Sequence, residues 1–158
     1  GRLFKCSFDH AKRSLFSSFN SIFGKVGRFA SEEVVLSLLK AKCLPCFLYG
    51  LEVCPLIVRD KRSFDFSITR LFMKLFRTGS VAIVEECQKQ FDFLPIRFVI
   101  DIRTASFIEK FMESTNHICM LFKQRAASNL KIIFSNYGNT VCSSSSLRNA
   151  INSSFFGV

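Results

Sequence analysis

The chain has no tryptophan and only two tyrosines, so its aromatic content rests on 20 phenylalanines. A core built from these is apolar and carries few ring hydroxyls or indole N–H groups that need partners. Proline and glycine are scarce, at three and seven of 158 residues, which excludes collagen-like and Pro/Gly-rich disordered chains. Hydrophobic residues make up 49% and charged residues 22%, a globular composition whose length suits one domain, or a small domain with a helical appendage. Long apolar runs are also missing. The longest, residues 43–58, contains Glu52 and two prolines and falls short of the roughly 20 residues a membrane-spanning helix needs. At the N-terminus, GRLFKCSFDHAKRS interrupts its apolar residues with basic ones, unlike a signal peptide. The start at Gly1 in place of Met raises the expectation of a piece, or a decayed copy, of a longer protein.

Catalytic signatures are absent too. The chain has no GxSxG elbow, no glycine-rich phosphate loop and no HExxH, so nucleophilic, P-loop and zincin chemistry have no sequence support. His10 follows Asp9 at a helix start and reads as part of a cap or a solvated face. The seven cysteines are an odd number without the regular spacing of a disulfide scaffold; reduced intracellular thiols are expected. Cys43 and Cys46 form a CxxC with Cys54 nearby, but a structural zinc site needs four ligands, and His10 and His117 are far away in sequence. Buried structural thiols are the expectation, with no metal ligand assigned. Glu52, in the apolar run Tyr49-Gly50-Leu51-Glu52, is expected to pair with an arginine or cap the next element. Cys87 lies beside Glu85 and Glu86, which disfavours a reactive thiolate.

Acidic residues are the clearest deficit: 12 against 22 lysines and arginines, for a formal charge of +10. Residues 1–77 hold 14 of the basic side chains and 6 of the acidic ones. A polyanionic partner is indicated, bound mainly by the first half.

Apolar positions recur at helical spacing. Phe8, Ala11, Leu15, Phe19, Ile22 and Val26 form one face of an amphipathic helix over 8–26, with Lys12, Arg13 and Lys25 on the opposite side. Ser31 is the expected N-cap of a second helix, with Glu32 and Glu33 in its first turn, running to about residue 44 where Pro45 ends or kinks it. Residues 46–56 are expected to be a buried helix or turn interrupted at Tyr49-Gly50. Asp60 is expected to cap the next helix, in which Phe64, Ile68, Leu71, Phe72, Leu75 and Phe76 form the apolar stripe. Arg70, Lys74 and Arg77, at i, i+4 and i+7, are expected to share one face. Further helices are predicted at about 81–91, 95–113 and 118–134. The turn signal Asn136-Tyr137-Gly138-Asn139 precedes a polar, Ser-rich end expected to be frayed or disordered. The fold class is therefore all-α: a basic helical bundle over residues 1–78, a helical extension over 79–136 and a flexible Ser-rich tail over 137–158.

A nucleic acid's regular phosphate charge calls for several cations on one rigid surface. The candidates are Lys12, Arg13, Lys25 and Arg28 from the N-terminal part and Lys61, Arg62, Arg70, Lys74 and Arg77 from the central helix.

Three runs carry a family resemblance: LLKAKCLPCFLYGLEVCPL (38–56), SFDFSITRLFMKLFRT (63–78) and VEECQKQFDF (84–93). Together with FNSIFGKVGRFASEE before them, they resemble the segment downstream of the polymerase core in non-LTR (LINE-type) retrotransposon reverse transcriptases, where the thumb-like helices and the start of the C-terminal region lie. The resemblance runs from about residue 4 to residue 95 and weakens through about 114. It implies a nucleic-acid-gripping part of an RNA-directed DNA polymerase, whose partners are RNA, an RNA–DNA or primer duplex, and an upstream polymerase domain. No membrane is implied. The implied setting is intracellular, in the nucleus or a cytoplasmic ribonucleoprotein. Two adjacent aspartates mark the catalytic pattern of such polymerases, and no Asp-Asp pair occurs in this chain. No catalytic residue is therefore assigned, and divalent metal is expected only in the polymerase domain. The alternative is a stand-alone helical protein-interaction module from a truncated or domesticated retroelement frame.

Overall fold

A computed structural model describes residues 6–27, 29–138 and 140–157. Among these the secondary structure is helical, with no strand: α1 (Asp9–Val26), α2 (Glu32–Leu38), a π-turn (Leu39–Cys43), α3 (Leu44–Phe47), a 3₁₀ turn (Leu51–Val53), α4 (Val58–Leu75), α5 (Val81–Gln90), α6 (Ile96–Glu113), α7 (His117–Ser135) and α8 (Ser144–Phe156). The all-α expectation holds. The chain divides into two compact units, Gly1–Ile96 and Arg97–Val158.

In the first unit the apolar periodicity becomes the core. Leu15 and Phe19 of α1, Val35 and Leu36 of α2, and Phe64, Ile68, Leu71 and Phe72 of α4 are buried. Phenylalanine does much of the joining. Phe64 meets Phe8 and Phe47 edge-on, with ring centroids 5.2 Å and 5.3 Å away. Each such pair adds roughly 0.5–1.5 kcal/mol beyond its area burial. Phe72 packs on Phe93 at 4.9 Å and Phe76 on Phe91 at 5.6 Å. These last two contacts tie α5 and its C-terminal turn to α4, so the first unit extends to Ile96 instead of closing near residue 78.

Ser31 caps α2 as expected, its hydroxyl accepting from the Val34 N–H. Pro45 does not end the helical path. The turn before it widens: Leu44 donates its N–H to the carbonyl of Leu39, five residues back, and Pro45 takes up the first turn of α3. A proline there has no N–H to leave unsatisfied, and the π-turn relieves its clash with the preceding carbonyls. Residues 46–56 are only partly buried. Phe47, Leu48 and Leu51 enter the core, while Tyr49 and Val53 are exposed; Gly50, at φ 73°, turns the chain between them.

In the second unit, Ile100, Ala105, Ile108, Leu130, Phe134, Leu147 and Ile151 are buried. The Tyr137 hydroxyl donates to the buried Asp101 carboxylate at 2.6 Å. The Ser-rich end, expected to be disordered, instead forms α8. Ser143 caps it, with its hydroxyl accepting from the Ser146 N–H. Ser144 donates its N–H to Glu109 Oε1 at 2.7 Å. The stretch is polar and low in complexity, yet Leu147 and Ile151, four residues apart, give the helix a buried edge.

Candidate nucleic-acid interface

α1 and α4 lie side by side and run in the same direction, because contacts climb both helices together. The Lys12 ammonium donates to the Ser63 hydroxyl at 2.6 Å. Four residues further along α1, the Arg70 guanidinium lies 5.9 Å from the centre of the Phe16 ring. Beyond that, the Lys74 ammonium donates to Asn20 Oδ1 at 2.7 Å and lies 5.6 Å from the Phe23 ring. The seam thus alternates cations with aromatic rings and short polar side chains. A cation over a ring face gains electrostatically, so Arg70 and Lys74 are positioned by rings and Lys12 and Lys74 by neutral oxygens.

The other expected residues fall in different places. Arg62 is exposed on α4, and Lys25 is exposed in the last turn of α1. Arg13 is exposed on α1, its Nε donating to the Asp9 carbonyl at 3.4 Å, and it borders a shallow depression with His10, Ser14, Ser17 and Ser18. Lys61 is half-buried and engaged within the protein. Arg28 lies outside the described residues. Arg77 corrects the expected i, i+4, i+7 face. α4 ends at Leu75, and Arg77 follows it at φ 52° in the left-handed region, so it is not on the helical face that carries Arg70 and Lys74.

α4 carries a further cation outside the expected set. Arg59 is exposed in the first turn of α4. Asp60 was read as the cap from which the helix would start, but the helix starts two residues earlier. Asp60 occupies its third position and accepts the Ile57 N–H at 3.2 Å. Arg59 is therefore helical and in register with Arg62, three residues on.

The CxxC does not act as a pair: Cys43 is buried and Cys46 exposed. Burial, with a smaller contribution from Cys46, pushes the Cys43 thiol above its ordinary value. Cys54 instead meets Cys6, Sγ to Sγ at 3.9 Å. Its thiol is raised first by burial, then by the hydrogen bond to Cys6 and by the Cys6 and Glu52 charges. Cys87 is raised by burial and by Glu86. Glu52 is half-buried on the 3₁₀ turn. Among the described residues no group of three or more His, Cys, Asp or Glu is placed to hold a metal ion. No helix of those residues is long and apolar enough to cross a membrane.

The fold and this seam define an all-α protein with a basic, aromatic-lined ridge along two parallel helices. Compared with family models, with curated proteins and with solved structures, the chain finds no match.

Proposed function

We propose that this chain is a nucleic-acid-gripping part of a LINE-type RNA-directed DNA polymerase, the thumb-like and following region, without catalytic activity of its own. The carrying observation is the α1–α4 seam, where Lys12, Arg70 and Lys74 are held in a row by Ser63, Phe16, Asn20 and Phe23. Such a row suits phosphates spaced along a template-primer, and backbone contact of this kind is indifferent to sequence. The resemblance over residues 38–93 supplies the parent, in which the metal-binding aspartates and the chemistry belong to an upstream domain.

The test is charge reversal at Arg62, Arg70 and Lys74 together, with helicity checked by circular dichroism. Affinity for RNA and for an RNA–DNA duplex should fall at least tenfold. The slope of log affinity against log salt should also become shallower by about two to three. Unchanged affinity would remove the proposed face, and primer extension by the purified chain would remove the non-catalytic assignment.

A second reading has an observation of its own. The first half of α7 exposes Ile118, Met120, Leu121 and Phe122, with Leu121 80% exposed. A helical turn that leaves several large apolar side chains in water fits a protein-interaction module. Binding to a protein through α7 that persists at high salt, with no affinity for nucleic acid, would favour it over the first reading.

A further inference from the structure

The exposed residues of α4 beyond its first position form a single strip: Arg59, Arg62, Phe66, Arg70 and Lys74, spaced by three, four, four and four. At about 100° per residue these positions stay within one third of the helix circumference, and they cover about 22 Å along the axis. Four are cations. The fifth, Phe66, is 59% exposed at the centre of the strip, although the same helix buries Phe64 and Phe72 completely. The acidic side chains of α4, Asp60 and Asp65, are half-buried and lie off the strip. Asp60 accepts the Ile57 N–H.

An apolar ring left mostly in water between arginines gains less from the fold than its buried neighbours Phe64 and Phe72, whereas a nucleobase offers it a matching π-face. Base–aromatic stacking tolerates any base, and flanking cations track the backbone on each side of it. Inside a duplex the base faces are already stacked on one another, so away from duplex ends it is an unpaired stretch that presents one to Phe66. We propose that this face of α4 binds single-stranded RNA or DNA, with Phe66 stacked on a base and Arg59, Arg62 and Arg70 holding the phosphates to either side. The inference rests on the nucleic-acid reading above and assigns the strip to the unpaired part of a template-primer.

The absence of tryptophan makes the test direct, because Phe66→Trp introduces a sole indole reporter. Titration of the full chain with oligo(dT) or oligo(U) of about 12 nucleotides should quench its emission strongly, and a blunt duplex of equal length should quench it much less. Phe66→Ala and Phe66→Leu should each weaken oligo(dT) binding about tenfold, with Phe66→Tyr close to the parent. Equal quenching by the duplex would overturn the single-strand assignment. If Phe66→Leu bound as tightly as the parent, stacking would be overturned. Loss of binding on charge reversal with no effect of Phe66→Ala would defeat this inference alone and leave the proposed function standing. No binding of any oligonucleotide by the parent chain would defeat both.

Discussion

Arg77 shows how one residue's conformation separates stability from charge. It adopts φ 52° just beyond α4, while Thr78 donates its N–H to the Met73 carbonyl at 3.1 Å. That is the geometry of a Schellman turn, whose left-handed position favours glycine. An L side chain there is strained by about 1 kcal/mol. Arg77→Gly should therefore raise stability to urea by about 1 kcal/mol while removing a cation; a loss of stability would show that the Arg77 side chain contributes more than its backbone costs. The cysteines give a pH dependence at the same scale. The folded chain raises Cys43, Cys54 and Cys87 above the ordinary value of 9.0. Below that value folded and unfolded chains both hold these protons. Above it the unfolded chain releases protons that the folded chain retains, so stability falls as pH rises toward the folded values. The melting temperature should drop between about pH 8 and about pH 10, and Cys43→Ala should flatten that drop relative to the parent. Identical pH profiles for the two would rule out this linkage at Cys43.

At the scale of elements, caps and periodicity carried most of the information. Ser31 caps α2 through its hydroxyl as its position implies, and the α4 stripe expected from spacing is the stripe that is buried, with only Phe76 left half-buried at its end. Two elements escaped. Pro45 is expected to end or kink the helix, and which of the two occurs is set by a widened turn ahead of it that the sequence does not reveal. α8 lies in a polar, low-complexity stretch expected to be frayed or disordered, and only Leu147 and Ile151 mark its buried edge. Leu147 is fully buried, so Leu147→Ala should cost about 2–5 kcal/mol in a denaturant titration. A cost near zero would indicate that α8 contributes little to the fold of the second unit. Start positions matter as much as existence. A helix beginning at Val58 rather than after Asp60 is what brings Arg59 into the cationic strip.

At the scale of the whole molecule, the net charge raises the expectation of a polyanionic partner, and the excess of basic residues before residue 78 directs that expectation to the first half. The chain alone made most of the helices, the apolar stripe of α4 and the cations Arg62, Arg70 and Lys74 on its far side legible, because side-chain periodicity and capping act within a few residues. Only the tertiary structure decided which cations are held together. Lys12 reaches Ser63, Arg70 lies by Phe16 and Lys74 bonds Asn20 because α1 and α4 pack in parallel, with contacts that join residues 51 to 54 positions apart. The same packing brings the Cys6 thiol to Cys54 rather than pairing the two cysteines of the CxxC. Pairings of this range depend on how helices fill one another's grooves, and no local pattern in the chain encodes them.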